Sequence, residues 1–210
     1  MEQVIPQEMF RLFGIPVRDT VVSTWIMMAF VVGAVLLVRK KAPIVLEMIV
    51  DFTGDLASSF IQGPTSPYIP FLGSLLLFIL FANLFGIFPV VVTPTRDINT
   101  PLAMSLVVLI ASFAFTIKVK GLGGFAKTFL TPLVPLDLIG YFSRTMSLTL
   151  RLFGNILGGE VIVSVLISLI PVGVPLVMVL LASITGVLQA YVFTVLAASY
   201  IASAVGDASA

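Results

Sequence analysis

The sequence predicts an all-α, polytopic membrane protein that forms a single membrane domain over residues 1–210. Apolar residues make up 59% of the 210 positions and charged residues only 10%, whereas a soluble domain has about 25% charged residues. Five long apolar segments are separated by short polar ones, and each is long enough to cross a hydrocarbon core as a helix. We therefore expect about five membrane-embedded helices and one amphipathic helix at the interface.

The first part of the chain contains a polar N-terminal segment, three spans and the amphipathic helix. Residues 1–20 carry both charge signs and no basic leader, which favours a retained outer segment over a cleaved signal peptide. Residues 44–62 place Glu47, Asp51 and Asp55 at helical spacing among apolar side chains, a pattern typical of a helix that lies along the membrane surface. The predicted spans are 21–38, 68–88 and 101–117.

The last two apolar segments, 137–170 and 174–204, are too long for simple spans. As continuous helices they would measure about 51 and 46 Å, against a hydrocarbon core of about 30 Å. Each could instead fold as a tight hairpin, but neither contains the polar turn residues that a hairpin needs. We therefore favour two long, strongly tilted helices. Small residues that would let these helices pack closely are Gly154, Gly158, Ala182, Gly186 and Ala190.

The basic residues of the short loops predict an orientation. Arg39, Lys40 and Lys41 follow the first span, and a second basic group follows the third: Lys118, Lys120 and Lys127. Basic loops remain on the cytoplasmic side, which puts the N-terminus outside, residues 89–100 outside and the C-terminus in the cytoplasm. Arg11 and Arg18 argue mildly against this orientation.

Arg151 is the most informative residue, because it lies in a long apolar segment with few other charges. An arginine inside a span costs about 3 kcal/mol or more and faces protein or water rather than lipid, and its guanidinium does not give up its proton to escape that cost. The alternative is that Arg151 ends a shorter span, residues 152–170, and reaches the headgroups.

Other polar side chains accompany Arg151 in the last two segments. Asn155 lies four residues on and therefore on the same helix face, whereas Glu160 lies nine residues on, on the opposite face and about 13 Å further along. Gln189 lies in the final segment. The chain contains no cysteine and no histidine, which excludes disulfides, thiolate metal sites and imidazole acid–base chemistry.

Four stretches of the sequence together resemble one family. Residues 147–160 read SLTLRLFGNILGGE, and the other three, in order, are NLFGIFP at 83–89, PTRDINT at 94–100 and QAYVFTVL at 189–196. They resemble subunit a of F-type ATP synthases, the stator subunit beside the rotating c-ring, and most of all its bacterial and plastid branch. The resemblance covers essentially the whole chain.

The resemblance implies a role for each polar residue. Arg151 would face the ion-binding carboxylates of the c-ring, with Asn155 and Gln189 as its polar neighbours. Glu160 would be the acidic relay of a half-channel open to the outside. The other implied half-channel residues are Asn83, Asp97 and Asn99 at the outer entrance, and Asp137 near the cytoplasmic half-channel, where a helix N-cap is an equally good interpretation.

This sequence departs from the family pattern at several positions. Pro101 replaces a frequent threonine and Thr145 a frequent proline, while Gly86 stands where some members carry an acid and Ala182 where some carry a histidine. Because the chain has no histidine, Glu160 would act without an imidazole partner. These departures concern the detailed ion path more than the family.

The implied partners are the c-ring, the peripheral-stalk b subunits, the rest of the F1Fo complex and the lipid bilayer. Neither a metal nor an organic cofactor is expected, nor is nucleic acid. The chain has no phosphate-cradling glycine-rich lysine motif, so it should not itself bind nucleotide. We expect protons as the coupling ion, in a bacterial plasma membrane rather than a thylakoid. The alternative coupling ion is Na⁺. The alternative protein classes are a secondary transporter, which usually has internal repeats that this sequence lacks, and a structural scaffold, which would not need Arg151 and Glu160.

Overall fold

The computed structural model describes residues 8–12, 15–87, 93–129, 134–170 and 173–206, and these residues form mostly helices. The helices are α1 (Asp19–Lys41), α2 (Pro43–Ser58), α3 (Ile69–Leu84), α4 (Asn99–Phe129), α5 (Val134–Leu169) and α6 (Val174–Gly206). Four of them, α1, α4, α5 and α6, are long and apolar enough to cross a membrane, and α3 is a shorter apolar helix. The predicted all-α, polytopic class is confirmed.

A small β-hairpin precedes the first helix, which the sequence analysis did not predict. Strand β1 (Glu8–Leu12) pairs antiparallel with β2 (Ile15–Arg18), and the register shifts by one residue between Glu8 and Phe10. Such short strands give little signal in a sequence, because their stability depends on pairing and on neighbouring structure. Strand β2 continues directly into α1, so the hairpin fixes the position of Arg18.

Helices α1 and α2 follow each other with only Ala42 between them. Asp19 lies in the first turn of α1, and Arg39, Lys40 and Lys41 lie in its last turn, which are the charge placements that the helix dipole favours. Pro43 then begins α2 at a position where a missing N–H has no cost. The predicted amphipathic segment 44–62 ends earlier, at Ser58, because the chain turns away towards Gly63, whose φ is +110°.

Helices α3 and α4 differ in length from the predicted spans. Helix α3 has 16 residues and ends at Leu84, and a 3₁₀ turn, Phe85–Ile87, follows it. Helix α4 begins at Asn99 and includes the predicted span, but its helical backbone is interrupted at Gly121, where φ is +72°. Glycine adopts this conformation without the strain that a side chain would introduce.

Helices α5 and α6 are continuous, with 36 and 33 residues. The hairpin alternative for these two segments is therefore wrong. Each segment lacks the polar turn residues of a hairpin and forms one helix. At 1.5 Å per residue, the helices measure about 54 and 50 Å. The link between them includes Gly173, with a φ of +88°.

Helix α6 lies at the centre of the bundle and packs on α2, α3, α4 and α5. Its inward side chains include Phe193, Ala197 and Ile201, all fully buried, which meet Leu72 and Ile79 of α3 in one apolar core. Thr116 of α4 also lies 3.2 Å from the carbonyl oxygen of Ala204. The core therefore fixes the relative positions of the helices that carry the predicted site.

Candidate functional site

Residues 93–97, between α3 and α4, connect to several different parts of the bundle. A 3₁₀ turn, Pro94–Arg96, presents successive side chains in different directions. Arg96 reaches Glu160 of α5, Thr95 reaches Asn83 of α3, and Asp97 reaches Arg18 of the hairpin. We call these residues and their partners the loop cluster: Arg18, Asn83, Thr93, Thr95, Arg96, Asp97 and Glu160.

Glu160 forms an ion pair with Arg96 in the loop cluster. The Arg96 Nε atom lies 3.6 Å from Glu160 Oε2, and the two side chains are 10% and 28% exposed. The Thr93 hydroxyl also lies beside the Glu160 side chain. The predicted relay carboxylate is thus partly open to solvent and has a guanidinium, rather than an imidazole, as its charged partner.

Asp97 is held by the N-terminal hairpin. Arg18 Nη1 lies 2.7 Å from Asp97 Oδ2, and the Asp97 side chain is only 4% exposed. Asp97 Oδ1 also accepts a hydrogen bond from the backbone N–H of Asn99, which begins α4 and is exposed. Both residues were predicted to line the outer entrance, and the geometry gives Asp97 a second function, that of joining the hairpin to the start of α4.

Asn83 connects α3 to α6 and to the loop. Its Nδ2 donates a 2.9 Å hydrogen bond to the carbonyl oxygen of Gly186, and its Oδ1 accepts a 3.2 Å hydrogen bond from Thr95. A Cβ atom at position 186 would lie 3.1 Å from Asn83 Cβ, so the missing side chain permits this approach. The small-residue pattern predicted that Gly186 packs against the preceding long helix, whereas the structure packs it closely on α3.

Arg151 lies at the middle of α5, with seventeen helical residues before it and eighteen after it. It is exposed, on a stripe that also includes Ser147, Gly154 and Gly158. We call these four residues the Arg151 face. Helix α5 neither begins nor ends near Arg151, and the alternative in which a shorter membrane span ends there stays open.

The structure brings only part of the predicted Arg151 neighbourhood together. Asn155 Nδ2 lies 3.4 Å from the carbonyl oxygen of Thr185 on α6, a long hydrogen bond that joins the two helices. Gln189 is buried on α6, and its Nε2 has no hydrogen-bond partner among the described residues. A buried donor without an acceptor is uncommon in folded proteins.

Asp137 belongs to α5, but its side chain lies outside the part of the chain that the structure describes. Its predicted function near the cytoplasmic half-channel therefore stays a prediction.

Arg144 was not singled out in the sequence, although it lies seven residues before Arg151 and hence on nearly the same helix face. Its guanidinium carbon lies 5.2 Å from the centre of the Tyr200 ring, a cation–π distance. Both residues line a cavity of about 10 Å³ with Tyr141 and Ser112. The seven-residue spacing of two arginines was the signal that could have identified Arg144.

Arg96 and Arg18 were also missed as parts of the site. The sequence shows Arg96 beside Asp97 in a short loop. In the structure each has a distant partner: Glu160 is 64 positions from Arg96, and Arg18 is 79 positions from Asp97.

Comparison with known proteins gives one consistent family. The family described as ATP synthase A chain matches residues 20–202. The chain is 41% identical to ATP synthase subunit a 2 of Picosynechococcus sp., over 90% of this chain and 86% of that protein. It is 37% identical to ATP synthase subunit a of Moorella thermoacetica, over 97% and 98% of the two chains. The chain therefore belongs to the ATP synthase A chain family.

Proposed function

We propose that this chain is the ion-translocating stator subunit of an F-type ATP synthase. The observation that carries the proposal is Arg151, exposed at the middle of a 36-residue helix. No ion-pair partner for Arg151 occurs among the described residues. Because a guanidinium inside a span must face protein or water, a second subunit with carboxylates at this depth accounts for both its charge and its exposure.

The surface around Arg151 suits a close protein partner. Apart from the neighbouring backbone of α5 itself, no atom lies within 4 Å of the place where a side chain would begin at Gly154 or Gly158. These glycines therefore leave the backbone of α5 accessible. Small residues let another helix approach closely in a membrane. On α6, large apolar side chains are exposed, among them Leu181, Ile184, Leu188 and Tyr191.

The mechanism follows from a permanent charge that faces carboxylates moving past it. A c-ring carboxylate that has lost its ion is attracted to Arg151, and the guanidinium favours its ionised form. The bound ion is therefore released before the carboxylate passes Arg151. The same charge separates the two half-channels, because a cation moving directly between them would meet the guanidinium.

The two half-channels open on opposite sides of the membrane in this proposal. The loop cluster forms the outer entrance, with Glu160 as the relay carboxylate and Asp97, Asn83 and Asn99 around it. Asp137 lies near the inner exit. The basic residues at the end of α1 and in the second half of α4 lie on the cytoplasmic side, so the N-terminus faces out.

We propose protons as the coupling ion, since the half-channels need only water and a few acids. A Na⁺ site would need several oxygen ligands converging on one point, and those would belong to the c-ring. The chain works within the complete F1Fo complex of a bacterial plasma membrane, beside the c-ring and the peripheral-stalk b subunits.

Cysteine cross-linking tests this proposal, because the natural chain contains no cysteine. Ser147→Cys and Gly154→Cys place single thiols on the Arg151 face, and a c subunit carries one cysteine next to its mid-membrane carboxylate. Both variants should form disulfide-linked products with the c subunit in membranes. Val32→Cys on α1, which is 58% exposed, is the matched control and should not. Equal products from all three positions would contradict the proposal.

A further inference from the structure

Arg96 is a nearly buried cation that does not belong to any membrane span. It ends the 3₁₀ turn Pro94–Arg96, its side chain is 10% exposed, and its Nε lies 3.6 Å from Glu160 Oε2. An arginine cannot lose its charge at such a position. A buried charge requires a partner of opposite sign, and Glu160 provides one.

Arg96 is also the charged group that forms an ion pair with Glu160 in the described part of the chain. Helix α6 contains no charged residue, and α4 contains none from Asn99 to Ile117. On α5, the nearest charge is Arg151, nine residues and about 13 Å away. The remaining loop contact of Glu160 is the neutral hydroxyl of Thr93, and Asp97 is paired with Arg18 at 2.7 Å.

Contacts on both sides of Arg96 hold its backbone in place. Thr95, the residue before it, is fully buried and hydrogen-bonded to Asn83 at 3.2 Å. Asp97, the residue after it, forms the ion pair with Arg18. The loop therefore presents the guanidinium to Glu160 in a fixed position, and little conformational freedom is lost when the pair forms.

We propose that Arg96 is an internal counter-ion that competes with the coupling ion for the Glu160 carboxylate, and so sets the outer ion concentration at which transport is half-maximal. This inference rests on the proposed function, in which Glu160 is the outer relay. A neighbouring fixed cation disfavours the binding of a further cation to a carboxylate. Arg96 is thus a positioning and affinity-setting residue, and it carries no ion itself.

The test measures ATP synthesis by the complete complex in vesicles as the outer pH is varied at constant membrane potential and constant inner pH. In Arg96→Gln, half-maximal synthesis should occur at an outer proton concentration about tenfold lower. The midpoint of the pH profile then lies about one pH unit higher. Arg96→Lys keeps a positive charge and should stay within about threefold of the unmodified complex. Arg39→Gln removes a charge at the far end of α1 and is the matched control, with no shift.

Two results would overturn the inference. One is a pH profile of Arg96→Gln that superimposes on that of the unmodified complex. The other is an equal shift in Arg96→Gln and Arg96→Lys, because an effect that does not depend on charge indicates a displaced loop. If the Arg96→Gln complex does not assemble, Arg96→Met is used in its place. Methionine keeps an apolar stem without the charge, and the expected shift is the same.

Arg151→Ala in the same assay separates this inference from the proposed function. An inactive Arg151→Ala complex together with an unshifted Arg96→Gln profile would refute only the counter-ion role of Arg96. An active Arg151→Ala complex would refute the proposed function itself.

Discussion

The loop cluster and the Arg151 face differ in whether their charged side chains form ion pairs within the chain. In the loop cluster, Arg96 pairs with Glu160 and Arg18 pairs with Asp97, so each charge meets its partner within the chain. On the Arg151 face, an arginine is exposed at the middle of α5 with no such partner among the described residues. The first region is complete in the isolated chain, whereas the second has the character of an interface that another subunit completes.

Glycines show the same contrast. Gly186 faces inwards and allows Asn83 to approach α6, while Gly154 and Gly158 face open space. The same residue type therefore serves internal packing at one site and access for a partner at the other.

The largest effect is expected when the charge of the Arg151 face is removed. Arg151→Ala should lower ion-driven ATP synthesis by about 1,000-fold, because a preorganised electrostatic group is lost, while the complex still assembles. Arg151→Lys should restore little activity, because lysine is a point charge that can lose its proton and lacks the planar fork. Synthesis is measured in vesicles, with assembly checked by co-purification. Near-normal synthesis by the alanine variant would remove Arg151 from the mechanism.

A smaller effect is expected at Glu160, which has a partner within the chain. Glu160→Gln keeps the shape of the side chain but cannot exchange a proton, and should slow transport about 100-fold. Glu160→Asp keeps the carboxylate on a shorter stem, so its rate should fall between those of the glutamine variant and the unmodified complex. Ion-driven synthesis in vesicles measures these rates. Equal rates in the three proteins would reduce Glu160 to a packing residue.

The difference between the buried glycine, Gly186, and the exposed glycine, Gly158, should change the stability of the chain rather than its rate of ion transport. Gly186→Val places a branched side chain against Asn83 and should destabilise the chain by about 1–3 kcal/mol. Gly158→Ala is the contrasting variant: it meets open space, and alanine favours a helix by about 1 kcal/mol over glycine. Thermal unfolding of the detergent-solubilised chain without its partner subunits gives both values, because Gly158 meets open space only there. Equal midpoints for the two variants would contradict the internal packing role of Gly186.

The smallest effect concerns the coupling ion. If protons are used, ATP-driven acidification of vesicles should continue unchanged when Na⁺ is omitted. The acidification rate with and without added Na⁺ is the measurement, and an absolute requirement for Na⁺ would reverse the choice of ion. That result would leave the contrast between the two regions as it is, since neither pairing depends on which ion moves.

The membrane class could be predicted from the sequence, because it depends on local composition, and Arg151 stands out for the same reason, although its function stays a prediction. A long apolar segment indicates a span, and a charge within it is conspicuous. The partners of Arg96 and Asp97 could not be predicted, because such pairs depend on how the helices are arranged. The β-hairpin and the 3₁₀ turns were missed for a related reason: they are short, and tertiary contacts stabilise them.

The central position of α6 has a mechanical consequence. In the proposed function a rotor moves past Arg151 and applies a sideways load to α5. Helix α5 packs on α4 and α6, and α6 in turn packs on α2 and α3. Because close-packed interiors are hard to compress, the load spreads through the whole bundle instead of bending one helix. The stiffness of the stator at this point therefore comes from its most buried helix, which needs no charged residue to provide it.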